Sequence, residues 1–206
     1  MKSDFKKLVP TYSAKPGIFA VVTVPKLQFL MIDGHGDPNS SQAYKDALLT
    51  LYPVAYKLKF FSKEQLGRDY AVMPLEALWW ADDMESFTSA RDKSQWDWTL
   101  MIMVPEWLGP DHFAAAREAV TGKGEAVAWD ALRLEHLEEG MSVQTLHIGP
   151  YDDEAPVLQE MHGSFIPGQS LAMTGKHHEI YLSDPRRTAP EKLKTILRQP
   201  VRPAES

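Results

Sequence analysis

Residues 21–34, Val-Val-Thr-Val-Pro-Lys-Leu-Gln-Phe-Leu-Met-Ile-Asp-Gly, decide the fold class: β-branched and large apolar side chains dominate them, and a helix signal follows. They read as a strand pair around Pro25–Lys26, ended by Gly34-His35-Gly36-Asp37-Pro38. The next helix takes Asp37 or Asn39 as N-cap, with Gln42 three residues beyond Asn39. Its apolar stripe is Tyr44, Ala47, Leu48, Leu51, Ala55 and Leu58, at spacings of three and four. Pro53 inside it removes one backbone bond and predicts a kink or a restart. Residues 70–81 and 96–104 then read as strands, joined by a polar hairpin loop from Asp82 to Gln95.

The same order recurs after a linking helix, Asp111 to Val120, with Phe113, Ala116 and Val120 inward and Gly122 as its stop. Residues 131–138 and 141–148 read as strands around Glu139-Gly140. They end in Ile148-Gly149-Pro150-Tyr151-Asp152-Asp153, which matches Ile32-Asp33-Gly34-His35-Gly36-Asp37 in kind. A helix with Val157, Leu158 and Met161 inward, a Gly/Pro loop from Gly163 to Gly175 and a strand at 176–183 follow. The tail reads as a turn at 184–190 and a short helix capped by Thr188, apolar at Leu193, Ile196 and Leu197. The halves lie about 105–115 residues apart, longer than solenoid periods, so duplication of one small α+β module is the natural reading.

Composition narrows the function. The 206 residues hold 22 Lys+Arg against 28 Asp+Glu, a net charge of −6 that argues against a general nucleic-acid binder. With no cysteine there is no disulfide framework, thiolate metal site or cysteine nucleophile. The most apolar stretch, Ile18 to Ile32, is broken by Pro25, Lys26 and Gln28, short of the ~20 apolar residues of a membrane helix. No secretory h-region follows the N-terminus, so the expected location is the cytoplasm.

No G-x-S-x-G elbow, P-loop or G-x-G-x-x-G is present, and Gly34-His35-Gly36 is only a short echo of a glycine loop. In His177-His178-Glu179 the two imidazoles point to opposite faces of a strand, so no metal is expected. Glu179 lines up with His177 and Tyr181, and a carboxylate there needs a partner. Glu76 occupies a comparable place in the first half, and a pseudo-two-fold axis would bring both glutamates to one central cleft. The bland alternative places each on a solvent face. Trp79, Trp80, Trp96 and Trp98, with Tyr44, Tyr52 and Tyr56 on the preceding helix, form either a bulky core or the walls of a cleft. Aromatic walls around a buried carboxylate suit a flat, lipophilic or cationic ligand, and Met73, Met101 and Met103 add an adaptable surface. Arg186, Arg187, Lys192, Lys194 and Arg198 form a basic run that reads as a solvated helix face.

The turn at 148–153, the segment Lys-His-His-Glu-Ile-Tyr-Leu-Ser-Asp-Pro-Arg at 176–186 and Met-Pro-Leu-Glu-Ala-Leu-Trp-Trp at 73–80 resemble the GyrI-like small-molecule-binding proteins, their stand-alone branch in particular. The resemblance covers roughly residues 18 to 200. It implies one α+β domain over 1–206, two strand–helix–strand–strand modules (18–108 and 125–200, linking helix 111–121) packed pseudo-symmetrically around a ligand groove. It also implies a buried Glu on the last main strand, Glu179 by position. The family includes a DNA gyrase inhibitor and sensing domains of multidrug-responsive regulators. Residues 1–20 are too short for a helix-turn-helix, which sets this sequence apart from the regulators.

Some stand-alone members hydrolyse cyclopropane-bearing, DNA-alkylating natural products. Their chemistry would make Glu179 a general base, its pKa raised by burial, with Tyr181 or Tyr151 donating to the developing oxyanion. The expected ligand-binding set is Glu76, Trp80, Trp98, Tyr44, Met101 and His147, with no metal and no cofactor. The expected partner is a hydrophobic aromatic small molecule, with no nucleic acid and no membrane; a homodimer is compatible. The rival functions are sequestration or sensing of lipophilic cations, and interaction with gyrase.

Overall fold

The computed structural model describes residues 2–81, 92–121 and 128–205. The first half runs β1 (Lys2–Ser3), α1 (Phe5–Leu8), β2 (Ala20–Val24), β3 (Leu27–His35), α2 (Gln42–Gln65), β4 (Asp69–Tyr70), β5 (Leu75–Trp80) and β6 (Asp97–Met103). Helix α3 (Pro110–Thr121) leads to β7 (Arg133–Leu137) and β8 (Gly140–Ile148). Then α4 (Ala155–Glu160) passes through a π-helical turn, Met161–Phe165, into α5 (Ile166–Gly168). The chain ends with β9 (Leu171–Met173), β10 (His177–Tyr181) and β11 (Lys194–Pro203).

One mixed α/β unit results, with a large antiparallel sheet ordered β2-β8-β11-β10-β5-β6-β3-β7 and β9 appended to β11. Exchanging β2, β3, β5 and β6 with β7, β8, β10 and β11 reproduces this order read from the other end. Only Pro25 and Lys26 separate β2 from β3, and only Glu138 and Glu139 separate β7 from β8, yet each pair stands six places apart in the order. A two-residue link reaches about 10 Å, whereas six spacings across a flat sheet cover about 29 Å. The sheet must therefore curl until its edges meet, which turns one face inward.

Helix α2 packs on the outer face, where Tyr44 meets Trp79 and Trp98. In the second half the same face carries Val143, Leu197 and Val201 against Met161 and Ile166. The inner face is filled by Phe29, Met31, Met101, Met103, Ile180 and Ile196, all buried.

The structure corrects several expectations. Strands β2 and β3 do not pair with each other: β2 pairs with β8, and β3 with β6 and β7. The same holds of β7 and β8. Residues 70–81 split at Pro74, whose missing N–H cannot serve a ladder. The cap of α2 is Ser41, whose Oγ accepts from the Tyr44 N–H, while Asp37 forms a local turn onto Asn39. Helix α2 runs through Pro53 without restarting, because the carbonyl left free belongs to exposed Leu49 and can reach water. The loop expected from Gly163 is helical to Gly168.

The largest correction is the tail. Residues expected as a helix are β11, between β8 and β10, so Glu179 lies on the penultimate long strand. Buried on both faces, β11 mixes the polar Thr195, Arg198 and Gln199 with Ile196, Leu197 and Val201, so no alternation betrays it. Arg198, expected on a solvated face, is buried there and donates to Glu139, Gln144 and the Thr11 carbonyl. Most of the hairpin loop, Asp82 to Arg91, and the stop at Gly122 lie outside the described residues.

Candidate ligand-binding cleft

The two central strands, β5 and β10, set Glu179 opposite Ala77 and His177 opposite Trp79. Strand alternation then sends His177, Glu179, Tyr181 and Trp79 to the outer face. Tyr181 donates its hydroxyl to Glu179 Oε2 at 2.6 Å and accepts from Trp79 Nε1 at 3.1 Å. His177 Nε2 lies 3.5 Å from Glu179 Oε1.

Burial alone would raise the Glu179 pKa, but His177, Tyr181 and Trp79 outweigh it and hold the carboxyl below its ordinary range. The expectation of a raised glutamate is corrected here: the floor of the cleft is a carboxylate stabilised as the anion. The Tyr181 hydroxyl goes the other way, pushed well up by burial and by the neighbouring Glu179 charge.

Over this floor opens a cleft of about 1100 Å³, walled by Tyr44, Tyr52, Tyr56, Trp79, Trp96 and Tyr151. Tyr44 stacks on Trp79 with ring centroids 6.3 Å apart, and Trp96 meets Trp79 edge-on at 5.6 Å. Tyr151 stands edge-on to Tyr181 at 5.5 Å, its hydroxyl pKa pushed up to about 12 by burial and by Glu154 and Glu179. A cleft of this size with an aromatic floor and walls, and charged residues such as Lys93, Asp184 and Arg186 also in its lining, is suited to a small molecule.

Of the site residues read from sequence, Glu179, Tyr181, Tyr151 and Tyr44 line this cleft. Trp98 is on the same face but sealed behind Tyr44, packed on Gly34 and donating to the Gly36 carbonyl. His147 stands 3.0 Å from the Pro150 carbonyl and braces the turn that presents Tyr151. Glu76, Trp80 and Met101 are corrected: they leave the sheet on the other side. Glu76 accepts there from Tyr12 at 2.6 Å and meets His178 Nε2 at 3.0 Å. Met101 is fully buried, and Lys176 covers the ring of Trp80. Sequence reasoning left open which of Trp79 and Trp80 faces the cleft and did not place His177 or Glu154 in its lining; the alternation that separates Trp79 from Trp80 needed the register to resolve it. Among the described residues no group of three His, Asp or Glu side chains could hold a metal.

The model of the GyrI-like small molecule binding domain matches residues 19–202. The chain belongs to this family. Its GyrI-like fold is closely shared with an uncharacterized conserved protein from Listeria innocua, 37% identical, TM-score 0.88, covering 98% of this chain and all of the other. A hydrolase from Listeria innocua is 36% identical over the same shares, with a TM-score of 0.82. The EcmrR C-terminal domain, at 10% identity and TM-score 0.54, covers 91% of this GyrI-like chain and 98% of its own and shares the fold alone. A search of curated proteins gives no match. No helix among the described residues is long and apolar enough to cross a membrane.

Proposed function

We propose that this cytoplasmic GyrI-like protein binds flat hydrophobic molecules over Glu179 and adds water to electrophilic ones, opening a cyclopropane ring joined to a dienone and so detoxifying it. The observation that carries the reading is the Glu179 carboxyl, accepting a hydrogen bond from Tyr181, on the floor of an aromatic cleft. The Listeria relative named a hydrolase supports the catalytic half.

In that reaction the water oxygen forms a bond to the strained methylene carbon. The ring C–C bond breaks, and its electron pair moves through the ring system to the carbonyl oxygen, which becomes a phenolate. Glu179 orients the water and accepts its proton. The Tyr181 proton is already committed to Glu179, so Tyr151 is the better donor to the oxyanion. The phenolate then takes up a proton, and the sum is one water added.

Incubation of a cyclopropanoid alkylator with catalytic amounts of protein tests this, read by mass spectrometry as the gain of one water. Glu179→Gln should slow the reaction by ~10²–10⁴; an unchanged rate would rule out Glu179 as the base. A second reading, binding without turnover, is favoured by the lowered Glu179 pKa, which makes a weak base and a good counter-charge for a lipophilic cation. Tight binding with no product would select it.

A further inference from the structure

His177 is 8% exposed and lines the cleft, yet neither of its ring nitrogens makes a well-formed hydrogen bond to a described residue. Buried polar atoms are rarely left so. Its Nε2 faces Glu179 Oε1, the carboxylate oxygen that Tyr181 does not engage. At 3.5 Å the contact is long for a hydrogen bond but close enough for an ion pair, so its strength depends on whether the imidazole is charged.

The surroundings leave that charge to the pair itself. His162, from the π-helical turn, meets the His177 ring edge-on with centroids 5.9 Å apart. Burial and His177 push its pKa down to about 4, so it is neutral near pH 7. Strand β11 offers the uncharged Thr195 and Leu197 on this face, and β5 offers Trp79. Farther along the cleft stand Tyr44, Tyr151 and Glu154, and at its mouth the Arg186–Asp184 and Lys93–Asp152 pairs.

We propose that His177 is a positioning residue that sets the charge of the cleft floor: neutral, it leaves Glu179 an uncompensated anion for an aromatic cation, and protonated, it pairs with Glu179 and competes with that cation. The inference rests on the cleft being a site for flat aromatic molecules. A proton on His177 and a cation beside Glu179 then oppose each other, and linkage makes the opposition reciprocal. Cation binding expels a proton, and falling pH weakens cation binding. A neutral ligand of the same shape feels neither effect.

Ethidium and the uncharged phenanthridine share one ring system and separate these cases. Calorimetric titrations between about pH 5.5 and 8, in buffers of different ionisation enthalpy, should show ethidium affinity rising about tenfold or more with pH. Proton release should accompany ethidium and not phenanthridine, and His177→Gln should abolish it. Ethidium binding without proton release, or equal release by His177→Gln, would overturn the proposal. NMR titration of the His177 ring decides the coupling even if neither dye binds or the variant fails to fold. Its midpoint should fall in Glu179→Gln; an unchanged midpoint overturns the proposal, whereas failure of both dyes to bind counts against the cleft reading.

Discussion

Glu76 and Glu179 lie on paired central strands one register step apart, Ile180 facing Glu76 and Ala77 facing Glu179, so their carboxyls leave the sheet on opposite sides. The outward one is the floor of the aromatic cleft. The inward one belongs to a buried cluster with Tyr12, His178, Glu139 and Arg198. Glu139 comes from the link between β7 and β8, so this cluster ties the crossing of the curled sheet to its central strands. On the proposed function, two glutamates in equivalent strands thus divide function from stability.

Glu76→Ala should therefore unfold easily and leave the site alone. It strips Tyr12 and His178 of their common acceptor in a dry interior, a loss of about 3–5 kcal/mol in urea denaturation. Under native conditions its affinity for a cleft ligand should stay within about twofold of the native protein's. A stable variant that fails to bind would contradict the division.

The same cluster predicts a pH profile. Burial alone would lower the His178 pKa, but Glu139 and Glu76 raise it. Its contribution is full below the unfolded value of about 6.5 and is lost as pH rises through the raised folded value. Glu139, pushed down to about 2 from its ordinary 4.5 by His178 and Arg198 against the cost of burial, contributes above pH 4.5 and loses this as pH falls toward 2. Urea midpoints should show this contribution greatest between about pH 4.5 and 6.5. His178→Gln, less stable throughout, should lose the alkaline decline.

Gly34→Ala should damage both stability and the cleft. A Cβ there would land in the Trp98 ring, which backs Tyr44 in the wall. Overpacking of this kind costs about 1–3 kcal/mol. Chemical denaturation and ligand titration should both register the change; a variant unaltered in the two would show that Trp98 can move away freely.

Tyr181→Phe removes the hydroxyl that donates to Glu179 and accepts from Trp79. A hydrogen bond to a charged group is worth about 1.5–3 kcal/mol, so the Glu179 pKa should rise by about one to two units. A carboxyl-labelled NMR titration measures this directly. An unmoved pKa would mean that His177 and Trp79 hold the anion without Tyr181.

Much of the fold was legible because its first-half strands, though buried on both faces, are largely apolar runs bounded by turn residues. Residues 27–35 and 97–103 carry β-branched and aromatic runs between turn residues, and α2 has a clean apolar stripe. Strand β11 was not legible: Leu193, Ile196 and Leu197 fit helical spacing, and a strand buried on both faces has no period of two to display. The cleft was legible in its residue types and uncertain in its faces. Trp79 and Trp80, or Glu76 and Glu179, exchange sides with a single register step, and that step depends on long-range pairing of β5 with β10.

The central claim is that Glu179, and not Glu76, reads the ligand. Equilibrium binding of a planar aromatic cation to Glu179→Gln and Glu76→Gln, followed by tryptophan fluorescence under conditions where both are folded, tests it most directly. Glu179→Gln should bind about tenfold or more weakly, from loss of one unscreened charge, while Glu76→Gln binds as the native protein does. Equal affinity in the native protein and Glu179→Gln, or a loss confined to Glu76→Gln, would contradict the account.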